Sequence, residues 1–214
     1  MQKVKIKTGS ARLFENDLLE RLSHVNPISP LIFWTPVLAY FLWRTFAVHQ
    51  LALGPVLAIG LLGVITWTFF EYWLHRVVFH MKPKSAFMKR VHYIIHEHHH
   101  EHPDDPTRLV FPPAGAVILA IPLFLLFRAV WGEVWADPFF AFFLVGYLAY
   151  DYTHYAVHFF KPRTRWGRYW KNYHMQHHFV APEAKWGISS PLWDYAFGTV
   201  EERTAEKTQR PSRA

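Results

Sequence analysis

The sequence contains no cysteine. That absence excludes disulfides, thiolate-held zinc, iron–sulfur clusters and a thiolate-bound haem. No glycine-rich nucleotide-binding motif is present, so the chain has no evident means of drawing electrons from NAD(P)H itself. There is no low-complexity segment, and no repeat beyond one echoed histidine motif. The first thirty residues are charged and lack the apolar centre of a cleavable signal peptide. Acidic residues are few, 16 against 23 Lys plus Arg, for a formal charge of +7. A basic excess can mean nucleic acid, but here the cations flank apolar runs, as in the cytosolic loops of membrane proteins. No nucleic-acid partner is expected. What is abundant is apolar and imidazole: 51% of the 214 residues are hydrophobic, 18% are aromatic, and 15 are histidine. The length suits one domain. Any metal must be held by imidazole or carboxylate, and imidazole suits iron, zinc, copper and nickel.

A membrane span needs roughly 20 predominantly apolar residues. Four runs approach that length, at 31–49, 51–74, 114–131 and 138–160. Gly54 and Pro55 mark a turn between the first two. The stretch from Trp131 and Gly132 to Asp137 and Pro138 marks a turn between the last two. Both are too short for separate domains. The expected fold is therefore an all-α integral membrane protein of four transmembrane helices in two hairpins, with a histidine-rich helical cap holding a dinuclear metal site. Residues 1–30 form a polar N-terminal segment, either interfacial or capping, and 201–214 a polar tail. All but Arg44 and Arg128 of the 23 cations lie away from the two hairpin turns. The positive-inside rule then places both termini and every histidine group on the cytosolic side, in a bacterial inner membrane or an endoplasmic reticulum membrane. A soluble four-helix bundle is disfavoured by the length of the runs.

The histidines follow a pattern. H-x-x-H-H occurs at His96, His99 and His100, and again at His174, His177 and His178. His154 and His158, four apart, share one helix face. His75 and His80, five apart, are splayed by roughly 140° on a regular helix, so either the helix ends between them or they serve different ions. In each H-x-x-H-H the first two histidines are expected to share a face and the third to turn away, so that each cluster reaches two neighbouring ions. His92 is a ligand or a supporting group. His98 and His102 are read as solvated spacers, and His24 and His49 as structural. A ligating imidazole usually gives its other N–H to a carboxylate or carbonyl. Glu71, Asp105, Asp151 and Asp194 are the candidate acceptors.

These residues resemble the fatty acid hydroxylase/sterol desaturase superfamily, and within it the sphingolipid fatty acid 2-hydroxylases that lack a fused cytochrome domain. The resemblance rests on Glu71 to His80, His92 to Pro113, Tyr150 to His158, Tyr173 to His178, Gly187 to Thr199, and Gly9 to Phe14, and so covers nearly the whole chain. It implies a single hydroxylase domain over 31–200. It also implies metal ligands at His75, His80, His96, His99, His100, His154, His158, His174, His177 and His178. The cofactors it implies are two iron ions, with zinc an alternative occupant of the same sites, and O2. The segment before the first span is too short for a haem domain, so the resemblance implies a separate redox carrier and reductase. Arg108, Tyr152, Tyr155, Trp186 and Trp193 are candidate substrate-binding residues. The expected activity is O2-dependent hydroxylation of a membrane lipid's acyl chain beside its carbonyl. The rivals are a relative acting on a sterol, carotenoid or ether lipid, and a membrane zinc-binding or transport protein, which would be expected to place ligands near mid-bilayer. Lys161, Arg163, Arg165, Arg168 and Lys171 offer a surface to an acidic carrier, or enforce topology and meet anionic head groups. Oligomeric state is not legible.

Overall fold

The computed structural model describes residues 9–201, and among these every regular element is helical. The chain runs α1 (Asp17–Ser23), α2 (Ser29–Trp43), α3 (Leu53–Trp73), α4 (Ala86–His92), α5 (His98–Glu101), α6 (Pro113–Phe159), α7 (Arg165–Phe179) and α8 (Leu192–Phe197). The tail expected after residue 200 lies beyond Glu201, outside the described residues. Local chemistry starts several of these helices. Asn16 accepts from the amides of Leu18 and Leu19 to cap α1, Thr164 accepts from Gly167 to cap α7, and α2 opens on a proline in its first turn.

Among the described residues, three helices are long and apolar enough to cross a membrane: Ser29–Val48, Leu53–Phe79 and Pro113–Phe159. The first two continue α2 and α3 through terminal π-helical turns, Arg44–Val48 and Leu74–Phe79. The expected third and fourth runs form one helical element of 47 residues, broken only at Gly132 (φ 71°, ψ 171°). Only glycine takes that backbone geometry without strain, so the turn sits on one residue and helix resumes well before Pro138. Along a straight helix, Phe124 and Phe140 would lie roughly 24 Å apart, yet their ring centroids are 5.0 Å apart. Phe127 likewise meets Phe139 at 4.7 Å. The two arms of α6 therefore lie against each other.

The core between α2, α3 and the α6 arms is aromatic, built on Trp34, Phe41, Trp67, Phe140, Phe143 and Tyr147. α3 packs closely on the second arm: a Cβ at Gly63 would stand 2.5 Å from the Phe139 carbonyl oxygen. Small residues allow such approach where lipid supplies no hydrophobic drive between helices. At the Gly132 end, buried Asp137 accepts from Arg44 Nε at 2.6 Å and contacts His49 Nε2 at 2.9 Å, tying α2 to the turn. The histidines gather at the other end.

Candidate metal centre

Five segments deliver the ten patterned histidines. His75 stands on the π-helical turn Leu74–Phe79 that continues α3, where the helix widens. The amide of His80 donates to His75 O at 3.1 Å, an i→i+5 bond. The wider turn brings His80 back over His75, with ring centroids 5.0 Å apart. A further π-helical turn, Tyr93–Glu97, precedes α5 and presents His96. His154 and His158 end the second arm of α6, and His174, His177 and His178 lie on α7.

The imidazoles sort into two groups, His75, His80, His96, His100 and His177, and His99, His154, His158, His174 and His178; within each, one ring nitrogen per residue lies within 4.8 Å of all the others. Each H-x-x-H-H is thus shared between groups, but its first and third members go together and the middle one crosses over. This corrects the expected pairing of the first two. Four residues advance a helix by a net of about 40° and three by about −60°, so His96 pairs with His100 and His174 with His178. The groups adjoin: the rings of His100 and His178 stack 4.2 Å apart.

The donor set fits two metal ions. His96 Nε2 faces His75, His80 and His100 Nε2 at 3.2, 3.0 and 2.9 Å. One ring nitrogen carries one proton or one lone pair, so three such contacts cannot all be hydrogen bonds. In the second group, His99 Nε2 meets both His154 and His178 Nε2 at 3.1 Å. Burial holds His96, His99, His174, His177 and His178 well below the ordinary imidazole range, reinforced by neighbouring imidazoles, and takes His100 down to about 3. Neutral imidazole is the form that ligates metal.

The outer faces of the rings differ. His75 Nδ1 donates to Trp186 O at 2.5 Å, and His177 Nδ1 donates to Ala184 O at 2.8 Å. A carbonyl only accepts, so both tautomers are fixed with the Nε2 lone pair facing inward. His154, His174 and His178 Nδ1 have no hydrogen-bond partner among the described residues. The expected carboxylates hold backbone instead. Asp194 accepts from the Trp186 and Gly187 amides and from Thr199 Oγ1. Glu71 accepts from the Ile188 and Ser189 amides and from Ser189 Oγ. Asp151 accepts from the Phe111 amide and from Tyr147 Oη, and Asp105 from Thr107. His92 pairs with Glu97 at 3.1 Å. The carbonyl acceptors had no side-chain signal to betray them.

His98 and His102 are not solvated spacers: they are 2% and 4% exposed, and their rings stack 4.8 Å apart. Segment 9–14 covers them, with His102 Nδ1 donating to Gly9 O at 2.6 Å. Arg108 secures the same segment. It donates to Ser10 Oγ, Ala11 O and Glu20, and lies 3.6 Å from Asp105. Burial alone would raise the Glu20 carboxyl, but the Phe14 and Leu13 amides and Arg108 outweigh it and bring it down to about 2. His24 contacts Thr107 Oγ1 at 2.7 Å. Of the other candidate substrate residues, Trp186 packs on the rings of His80, His177 and His75 at 4.8, 5.4 and 5.6 Å. Tyr152 donates to Pro27 O at 2.7 Å, Tyr155 packs on Phe159 at 4.8 Å, and Trp193 donates to Thr68 Oγ1 at 3.0 Å.

An apolar cavity runs between α2, α3 and both α6 arms, lined by Trp34, Trp67, Phe79, Phe111, Phe143 and Tyr150 among others. Two of its lining rings touch the histidines. Phe79 stacks on His96 at 5.0 Å, and Tyr150 lies 5.9 Å from His154. One aromatic ring thus separates the cavity from a member of each group.

Residues 60–199 match the profile of the family described as Fatty acid hydroxylase. A dihydroceramide fatty acyl 2-hydroxylase of Arabidopsis thaliana is 36% identical over 209 residues, covering 98% of this chain and 87% of that protein. A ceramide very long chain fatty acid hydroxylase of Saccharomyces cerevisiae is 36% identical over 195 residues, covering 89% of this chain and 50% of that one. The solved structure of a full-length Scs7p with only its hydroxylase domain visible superposes with a TM-score of 0.84 at 35% identity, covering 89% of this chain and 72% of that one.

Proposed function

This chain belongs to the fatty acid hydroxylase family, and from that premise we propose that it hydroxylates carbon 2 of the acyl chain of a sphingolipid or its fatty acid precursor. The apolar cavity whose walls, at Phe79 and Tyr150, pack on both imidazole groups carries this reading. An acyl chain lying among aromatic walls would present one carbon to the centre, while its polar head stays at the histidine end.

The ten histidines of the two groups are the proposed ligands of two iron ions. When bound, the irons supply the O2 activation and electron transfer that no side chain here provides. The protein's part is placement. The Trp186 and Ala184 carbonyls hold the His75 and His177 tautomers, and Asp194 and Glu71 hold the loop bearing the first of these carbonyls. Phe79 and Tyr150 shape the inner end of the cavity and keep water from the acyl carbon. Electrons are proposed to come from a separate carrier and reductase. The two α6 arms are proposed as separate spans, giving four in two hairpins, with the histidine end and both termini on the cytosolic side, as the cation distribution favours.

The test is expression in a host lacking 2-hydroxylated lipids, grown under 18O2, with acyl chains analysed by mass spectrometry. Wild type is expected to give 2-hydroxy acyl chains carrying one 18O, and His177→Ala none. Label at another carbon, or no labelled product from wild type, would refute the regiochemistry or the activity.

A further inference from the structure

A second, outward-facing groove lies away from the metal centre, between the last turns of α6 and the start of α7. One wall is the stripe Ala149, Tyr152, Thr153 and Ala156, and Trp166 and Trp170 contribute to the other. From 149 to 160 the α6 wall spans roughly 16 Å, close to half of a hydrocarbon core of about 30 Å. The groove is therefore one leaflet long. It ends where α6 ends, and cations gather at that rim. Segment 161–171 carries Lys161, Arg163, Arg165, Arg168 and Lys171 with no acidic residue. None of the described ion pairs uses any of the five. Lys171 Nζ donates to the His158 and Phe160 carbonyls at 3.1 and 3.3 Å, which holds one cation at the mouth.

We propose that this groove seats a membrane phospholipid with an anionic head group. Its acyl chain would lie along the 149–156 stripe and its phosphate beside Lys171 and the adjoining rim cations Lys161 and Arg163. Length and charge favour this over an acidic redox protein. Phe160 and Trp166, 61% and 63% exposed, stand beside the cations. The amphipathic ring of a tryptophan such as Trp166 sits at the head-group level of a bilayer. A water-soluble carrier would meet only the rim and leave the apolar length of the groove unfilled. The site would anchor the end of α6, and with it His154 and His158, at the membrane boundary.

The full chain, reconstituted in phosphatidylcholine bilayers, can be doped with dibrominated phosphatidylglycerol or dibrominated phosphatidylcholine. Tryptophan quenching is then read for wild type and for Trp166→Phe, whose difference isolates Trp166. The anionic probe is expected to reach half-quenching at a roughly fivefold lower mole fraction per cation engaged. Lys161→Gln with Arg163→Gln is expected to erase the preference at unchanged metal content. The wild-type comparison alone keeps the proposal testable should a variant misfold. Equal quenching by both probes overturns it, and so does a preference that survives neutralisation. Neutralisation that raises the KM for an acidic carrier while lipid preference stays intact assigns the patch to the carrier and overturns the lipid site.

Discussion

The imidazole group around His96 and the group around His99 are alike in composition and unlike in support. The first takes its rings from the π-helical turn after α3 and its C-cap, the turn before α5, α5 itself and α7, and is braced from outside. Two of its rings donate to loop carbonyls, and the Trp186 carbonyl lies on a loop clamped by Asp194 and Glu71. The second has three rings with no acceptor at Nδ1 among the described residues. It draws His154 and His158 from one face of α6, and His174 and His178 from one face of α7, so helix rigidity does the orienting. One group is held by a loop and the other by rods. Their sensitivities should differ accordingly.

The largest effect expected is from the proposed ligands, and it should be the same in both groups. His96→Ala and His99→Ala should each reduce product below detection and lower metal content, while His24→Ala leaves both unchanged. Product analysis with inductively coupled plasma mass spectrometry checks this. Full activity in either ligand variant would remove that residue from the centre.

Next comes the difference between the groups. Asp194→Ala unpairs the Trp186 and Gly187 amides and frees the loop that orients His75. Loss of such supporting contacts typically costs 10–100-fold in metal affinity. One of two ions should weaken by about that factor, seen as selective loss of half the metal to a chelator. Parallel loss of both ions would show that the groups are not separately supported.

A smaller effect should spare the distinction. Gly63→Ala pushes a methyl against the Phe139 carbonyl, and overpacking costs about 1–3 kcal/mol. The thermal midpoint should fall with metal stoichiometry intact. A midpoint at or above wild type would mean that the contact relaxes freely.

The smallest effect is confined to the covering segment. Glu20, with its carboxyl held down to about 2, stabilises the fold above its ordinary 4.5 and loses that contribution as pH falls from 4.5 toward 2. At neutral pH, Glu20→Gln should reduce hydrogen-exchange protection of the Leu13 and Phe14 amides roughly tenfold without changing metal content. Unchanged protection would mean that Arg108 and His102 hold the segment alone.

Much of this arrangement was legible because histidine and apolar runs leave marks at fixed spacing. The ten histidines that gather in two groups are those singled out by pattern, and the break in α6 falls at a glycine within the expected turn. What escaped notice lies in the backbone. The π-helical turn at Leu74–Phe79 reconciles a five-residue gap with a shared group, and no residue type announces such a turn. The carbonyls of Trp186 and Ala184 belong to every sequence equally, so carboxylates were expected in their place. His98 and His102 were read as exposed because their burial depends on segment 9–14, some ninety residues distant. The crossing of His99 and His177 between groups follows from a difference of about 100° between adjacent helix positions, which spacing permits but does not select.

The central claim is that ten imidazoles hold two ions in two five-nitrogen groups. Iron-reconstituted protein, assayed for metal per chain and examined by X-ray absorption at the iron edge, tests it most directly. The account predicts two irons per chain, each surrounded in its first shell by nitrogen at imidazole distances with no more than a minority of other light atoms. A single iron per chain, or a first shell dominated by carboxylate oxygen, would contradict it.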